Sequence, residues 1–140
     1  KENRVPEHLS TFPIGDENTQ YANFFIGKSY LAQLTSNKDL NVPVCNVTFE
    51  PGCRNNWHSH TGGQLLIAVG GKGYYQEKGK PIQLLLPGNV VKIAPDVIHW
   101  HGAAPDSEFT HIAIGPQLDK GGVTWLEPVT EEEYNSYEEK

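Results

Sequence analysis

The chain has 140 residues, with 11 Lys and Arg against 17 Asp and Glu and a formal net charge of -6. This length is typical of one domain, and the acidic balance argues against nucleic-acid binding, which needs a basic surface. The longest apolar run, residues 65–69, is far too short to span a membrane. We therefore expect a small-molecule partner, rather than nucleic acid or a membrane.

Glycine and proline divide the chain into short segments of alternating apolar and polar residues, a pattern typical of strands joined by tight turns. Residues 1–22 are polar, are interrupted by prolines, and are predicted to form an N-terminal arm, followed by a single domain over residues 23–140. The closely spaced strands favour a closed or two-layered all-β fold. They are predicted at residues 23–26, 29–34, 42–49, 57–69 with a bend near 61–63, 73–77, 82–86, 90–93, 98–102 and 109–114.

A short C-terminal helix is predicted over about residues 130–138, because Thr130 and Glu133 fit a capping box. Cys45 and Cys53 do not oppose each other in a hairpin that turns at residues 50–52, so two free thiols are expected. No secretory hydrophobic segment is visible, which favours a cytoplasmic location. The chain begins at Lys1 without Met, so a removed signal peptide also stays open.

Three histidines and a glutamine are spaced so that they can meet inside a rolled sheet. His58 and His60 are two residues apart, and residues i and i+2 of a strand share one face. Gln64 is also an even number of residues away, so it can share the face of His58 and His60. His99 lies on a later strand that barrel closure can bring across the interior. Three imidazoles and an amide oxygen suit a first-row divalent ion. One divalent transition metal bound by His58, His60, Gln64 and His99 is one interpretation of this spacing, and half-exposed histidines that bind no metal are the other.

The spacing around these residues resembles the two sequence motifs of the cupin superfamily. The second motif, G-x5-P-x-G-x2-H-x3-N, is matched by Gly88 and His99, whereas residues 94–96 are Ala-Pro-Asp and Ala103 replaces the Asn. The resemblance implies a double-stranded β-helix, or jelly-roll barrel, with its core at about residues 42–115. The first motif, G-x5-H-x-H-x3,4-E-x6-G, is matched by Gly52, His58, His60, Gln64 in place of Glu, and Gly71.

A closer resemblance rests on Asn-Val-Thr-Phe-Glu-Pro-Gly at 46–52, Trp-His-Ser-His at 57–60 and His-Trp-His-Gly-Ala-Ala-Pro at 99–105. These stretches are similar to small bacterial cupins that include the manganese-dependent hydroxynitrile lyases and the carboxymuconolactone-decarboxylase-like cupins. The resemblance implies manganese as the metal, a homodimer, and a position beside the substrate for His101. This chain departs from the lyase pattern at Asn55, where the lyases have Thr, and at Gly115, where they have Gln.

Two further histidines are predicted to be catalytic. His101 lies two residues after His99 and should point into the same interior, and His111 lies on a later strand. Either imidazole can act as a general acid or base because it titrates near neutral pH. The alternative for each is a packed ring that supports its neighbours. The predicted pocket-lining residues are Cys45, Val47, Asn55 and Trp100.

The neutral ligand set indicates what chemistry the site favours. Because Gln64 replaces a carboxylate, the ligands leave both charges of the ion uncompensated, which favours Lewis-acid catalysis. The expected function is a lyase, decarboxylase or isomerase acting on a small carbonyl or carboxylate compound. A metal-dependent dioxygenase and a non-catalytic ligand-binding cupin stay open as alternatives, as do Fe, Ni or Zn in place of Mn.

Overall fold

The computed structural model describes residues 11–35 and 39–138, and in this part of the chain nearly all regular structure is β. Residues 1–10 of the predicted arm lie outside the described residues. The strands are β1 (Asp16–Glu17), β2 (Phe25–Ile26), β3 (Ser29–Thr35), β4 (Val44–Phe49), β5 (Arg54–Asn55), β6 (His58–His60), β7 (Gln64–Gly71), β8 (Gly73–Glu77), β9 (Gln83–Leu85), β10 (Val90–Ile93), β11 (His99–Ala103), β12 (Phe109–Ile114) and β13 (Val123–Trp125).

The strands form two antiparallel sheets that enclose a common interior. The first sheet has six strands in the order β1-β3-β4-β12-β7-β10. The second has seven, in the order β13-β6-β11-β5-β2, and adds β8 beside β11 and β9 beside β8. Two layers of antiparallel strands, with a short C-terminal helix, are the predicted jelly-roll architecture, so the fold prediction is confirmed.

Apolar side chains from both sheets form a buried cluster in the interior. On β4, alternation turns Val47 and Phe49 inward, whereas Thr48 faces away and its hydroxyl lies 3.2 Å from that of Thr110 on β12. Phe49 and Phe109 are fully buried and pack in the same cluster. This aliphatic and aromatic base borders the polar residues of the interior, because the Phe49 ring centroid lies 5.5 Å from that of His111. Both cysteines are free, as expected.

The predicted strand over residues 57–69 is two strands that belong to different sheets. The chain leaves β6 in the second sheet, turns at residues 61–63, and enters β7 in the first. Gly63 adopts a φ of +83°, which favours glycine. Gly62 is packed so closely against the carbonyl oxygens of Pro116 and Gln117 that a Cβ would lie 2.5 Å from each. The turn therefore requires both glycines.

Three short strands were not predicted. They are β1, β5 and β13, of two or three residues each, and their sequences are too short to show an alternating pattern. β13 extends the second sheet by pairing with β6, so Trp125 lies opposite His58. β5 pairs with β11 and sets Arg54 opposite Gly102. Both strands thus border the histidine-bearing strands.

The C-terminal helix spans Glu131–Tyr134 and is shorter than predicted, but the capping box is present. The Thr130 hydroxyl accepts from the Glu133 N–H at 3.0 Å, and the Glu133 carboxylate accepts from the Thr130 N–H at 2.9 Å. Tyr134 is buried and donates its hydroxyl to the Ala103 carbonyl at 2.6 Å. The Arg54 guanidinium lies 4.2 Å from the centre of the Tyr134 ring. No helix of the described part is long and apolar enough to cross a membrane.

The anchoring bond of Tyr134 gives a stability prediction. Tyr134→Phe removes the donor to a buried carbonyl, and we expect the free energy of unfolding to fall by about 1–2 kcal/mol in urea denaturation. Tyr137→Phe, which removes a hydroxyl from a second ring that packs on Tyr74, is the control and should change it by less than about 0.5 kcal/mol. Equal effects of the two variants would show that the helix is not anchored through the Tyr134 hydroxyl.

Candidate metal centre

Three imidazoles meet in the interior of the barrel. His58 and His60 project from the same face of β6, and His99 on β11 lies directly opposite His58 across the strand pair. Their candidate ligand atoms all lie within 4.8 Å of one another. The ring centroids of His58 and His99 are 4.2 Å apart. This triangle of nitrogen donors is an arrangement that can hold a metal ion.

Backbone carbonyls set the tautomers of two of these rings. His58 Nδ1 lies 2.7 Å from the Asn56 carbonyl oxygen, and His99 Nδ1 lies 2.9 Å from that of Val97. A carbonyl oxygen can only accept, so each Nδ1 carries the proton and donates. Each Nε2 is therefore left with a lone pair that is free to bind a metal ion.

Several buried donor atoms in the centre lack a protein partner, which is the observation that a metal ion would explain. Among residues 11–35 and 39–138, the side-chain atoms His60 Nε2, His99 Nε2 and Gln64 Oε1 are buried and accept no hydrogen bond. Leaving such groups unpaired costs about 1–3 kcal/mol each. Gln64 is the first residue of β7 and approaches from the other sheet. The donor set, three nitrogens and one amide oxygen, fits a divalent transition metal.

Burial keeps these imidazoles neutral. It lowers the pKa of His60 to about 4, and the neighbouring Gln64 amide opposes this with a smaller effect. It also lowers the pKa of His99 to about 4, although the Val97 carbonyl favours the protonated ring. For His58, burial and then the neighbouring His99 depress the pKa well below its usual value. Neutral rings are the form that binds a metal.

A cavity of about 180 Å³ adjoins the histidines, and we call it the inner chamber. His58, His60 and Gln64 line it on one side, and aromatic rings enclose much of the remainder. A 150 Å³ apolar cavity holds benzene, so the inner chamber has room for about one six-membered ring with a few further atoms. Other lining residues are Phe25, Phe49, Trp125, Cys45 and Val47.

His101 lines the inner chamber and is held by Asn55. The Asn55 Oδ1 atom accepts from the His101 backbone N–H at 3.0 Å, so the Asn55 amide nitrogen is left facing the imidazole, 3.3 Å from Nε2. That nitrogen can only donate, and the ring atom it meets must accept. Burial, followed by the proximity of His111, lowers the pKa of His101 well below its usual value. Asn55 thus orients a neutral imidazole towards the chamber.

His111 reaches the inner chamber from the first sheet. Its ring centroid lies 4.9 Å from that of His101 and 5.5 Å from that of Phe49. The side chain is almost fully buried, and within the described part of the chain neither ring nitrogen has a hydrogen-bond partner. Burial lowers its pKa to about 4. A buried imidazole with two unpaired nitrogens is available to contact a bound molecule.

The prediction that Trp100 lines the pocket is wrong. Trp100 lies between His99 and His101 on β11, so alternation turns its side chain to the opposite face of the sheet. There it is fully buried against Tyr134, and its indole N–H donates to Gln76 at 2.8 Å. Its role is to pack the second sheet against the C-terminal helix.

Comparison of the sequence and the fold with known proteins identifies the family. No family model matches the chain. The chain is 48% identical over 93 residues to an (R)-mandelonitrile lyase of Granulicella tundricola, a stretch covering 66% of this chain and 71% of the lyase. It superposes on a cupin-like protein from Thermotoga maritima with a TM-score of 0.87 and 47% identity, over 94% of this chain and 99% of that chain. The chain belongs to the cupin family.

More distant cupins share the fold alone. A predicted oxalate decarboxylase from Thermotoga maritima superposes with a TM-score of 0.65 at 15% identity, over 86% of this cupin and 100% of that chain. At that identity the likeness concerns the barrel, not the residues that line its interior.

Sequence reasoning missed part of the aromatic wall in this cupin. Trp125 on β13 lies with its ring centroid 4.8 Å from that of His58, and Phe24 stacks on it at 4.7 Å. The β-prone run Val-Thr-Trp after Gly121 and Gly122 was the available signal. Phe25 also lines the inner chamber.

The depressed pKa values predict how the metal-free cupin responds to acid. On unfolding, each buried neutral histidine regains a pKa near 6.5, so below that pH the unfolded chain binds more protons. Stability is therefore full above about pH 6.5 and falls as the pH drops towards 4. Each histidine contributes a slope of up to about 1.4 kcal/mol per pH unit.

Urea denaturation of chelator-treated protein at several pH values measures this slope. His111→Phe removes one titrating ring while filling its space, so its stability should fall less steeply with acid than that of the unaltered protein. Parallel curves for the two proteins would contradict the assignment of a neutral, desolvated His111.

Proposed function

We propose that this cupin is a metal-dependent lyase that acts on a small carbonyl adduct, with a cyanohydrin as its test substrate. One observation carries the proposal: unpaired donor atoms of His60 and Gln64, with that of His99 beside them, adjoin a chamber that two more neutral histidines line. The 48% identity to a mandelonitrile lyase supports lyase chemistry. The size of the inner chamber suits a substrate with a single ring.

In the proposed site, His58, His60, Gln64 and His99 hold one divalent ion, with Mn²⁺ as the favoured metal. When bound, such an ion supplies Lewis acidity towards a substrate oxygen, and neutral ligands leave that acidity undiminished. The backbone carbonyls of Asn56 and Val97 keep the ligand nitrogens unprotonated and aimed inward. The protein thus contributes a preorganised set of lone pairs.

His101 and His111 are the proposed proton carriers. A neutral imidazole accepts the hydroxyl proton of a cyanohydrin, the bond to the nitrile carbon breaks with its electron pair on cyanide, and a carbonyl forms. The imidazolium then returns the proton to cyanide, which leaves as hydrogen cyanide. Burial makes that imidazolium short-lived because its charge is poorly solvated in the chamber. Asn55 positions the His101 ring for this transfer.

We also propose a homodimer of a single domain, which residues 16–17 of the predicted N-terminal arm join by pairing with β3. Edge strand β10 pairs only with β7 in the described part of the chain and presents Val90, which is 62% exposed. Leu86, at the turn before that strand, is also exposed. Covering an exposed edge with a second copy protects it from unspecific pairing.

The metal assignment predicts distinct outcomes for two ligand variants. Metal content is measured by elemental analysis after purification without added metal. His99→Ala should lose most of the metal because it removes one of three converging nitrogens. Gln64→Glu should retain it, while turnover falls because the added charge weakens the Lewis acid. Gln83→Glu, at an exposed position of β9, is the matched control and should change neither. Unchanged turnover in Gln64→Glu would refute the neutral-ligand argument.

The proton-transfer assignment predicts large rate losses without metal loss. With manganese-loaded protein and mandelonitrile, benzaldehyde release should fall about 100-fold or more in His101→Ala, the size expected for a lost general acid or base. His111→Ala tests the second carrier in the same way. Metal content in both variants should equal that of the unaltered protein, because neither ring belongs to the proposed ligand set.

Two other results would indicate a different function. Oxygen consumption coupled to turnover would indicate a dioxygenase. Tight binding of the test substrate without product, unaffected by His101→Ala, would indicate a ligand-binding cupin. Mandelonitrile cleavage that continues in the absence of oxygen supports the lyase.

A further inference from the structure

A second cavity, of about 340 Å³, lies directly beside the inner chamber, and we call it the outer chamber. Two of the shared wall residues, His60 and Gln64, belong to the proposed ligand set, so the metal centre lies at the junction of the two spaces. The residues that line both chambers are Tyr21, Cys45, His60, Gln64, Ala113 and Val123.

Glycine backbone forms much of the far wall of the outer chamber. Gly115, Gly121 and Gly122 line it and contribute no side chains. A Cβ at Gly122 would meet no non-neighbouring atom within 4 Å among the described residues, and its φ lies outside the left-handed region. Neither packing nor backbone conformation therefore requires glycine at position 122, so a side chain can be introduced at this wall residue.

The walls of both chambers are uncharged. Within the part of the chain that the structure describes, no Lys, Arg, Asp or Glu side chain lines either space. Away from the proposed metal centre, a charged group on a bound tail would lose hydration there, and no side chain of the walls would give it an ion pair. The interior instead offers aromatic rings, aliphatic groups and neutral polar atoms, which suit an uncharged molecule.

We infer that the substrate is an elongated, uncharged carbonyl compound or its adduct, with its reactive end in the inner chamber and a neutral tail in the outer chamber. This inference rests on the proposed function for the location of the reactive end. The inner chamber alone holds about one ring. The outer chamber, nearly twice as large, then selects for the tail, and Gly122 and Leu118 set the length accepted.

Calorimetric binding of phenyl n-alkyl ketones to the metal-loaded protein tests the inference. Affinity should rise about threefold for each added methylene, from the methyl ketone to about the hexyl ketone, as apolar tail is buried. A tail of equal length that ends in a carboxylate should bind at least tenfold more weakly than its neutral counterpart. The inference would be overturned by an affinity that does not change with chain length, or by equal affinities for the charged and the neutral tail.

Variants at the chamber wall locate the effect. Gly122→Phe should fill the outer chamber and flatten the chain-length gradient, whereas Leu118→Ala enlarges it and should extend the gradient to longer tails. Asp119→Phe, on the exposed side of the same turn, is the matched control and should keep the original gradient. If the increase of affinity with chain length is unchanged in both Gly122→Phe and Leu118→Ala, the tail does not lie in the outer chamber. Should Gly122→Phe not fold, the Leu118→Ala result decides alone.

Failure of this inference is distinguishable from failure of the proposed function. Mandelonitrile turnover without a chain-length gradient would leave the lyase intact and remove the elongated substrate. A gradient without turnover would retain the uncharged, elongated ligand and remove the lyase.

Discussion

The centre depends on two short hydrogen bonds from imidazole Nδ1 atoms to the backbone carbonyls two residues earlier. They fix the His58 and His99 tautomers, so the Nε2 lone pairs face one point instead of the solvent. Because each acceptor lies on the same short stretch of chain as its histidine, the orientation is built locally. The barrel then only has to bring the two stretches side by side, which the β6–β11 pairing does.

Desolvation of the buried histidines is the second property on which the site depends. Five histidines within one interior would repel each other if protonated, and burial already disfavours their charged forms. The cluster is therefore neutral, with several lone pairs that lack partners, an arrangement that costs stability until a ligand or ion satisfies it. The aliphatic and aromatic base around Phe49 and Phe109 stabilises the fold against that cost.

The sequence was sufficient where function imposes a spacing. The i, i+2 relation of His58 and His60 requires a shared face on any strand, and the cupin motifs brought His99 to the same site. The sequence was insufficient where one extra residue in a strand reverses which of the following side chains face the interior. Between Thr110 and His111 the β12–β7 register shifts by a bulge, which no local pattern announces. Trp100 shows the converse case, because strict alternation next to His99 and His101 already excluded it from the interior.

Short strands and long-range packing were also beyond sequence reasoning. β13 has three residues, and its position beside β6 is set by tertiary pairing, not by propensity. The aromatic wall that Trp125 completes therefore could not be anticipated, even though its β-prone residues were visible. The break at residues 61–63 was located correctly, but its consequence, a change of sheet, depends on the close packing of Gly62 against residues 116 and 117.

That change of sheet has a mechanical consequence. His60 ends a strand of one sheet and Gln64 begins a strand of the other. A cation bound by both residues would therefore cross-link the two sheets. Its binding energy would then resist any separation of the layers as well as local fraying of the turn. The ion proposed to polarise a substrate would also hold the mouth of the barrel at a fixed width.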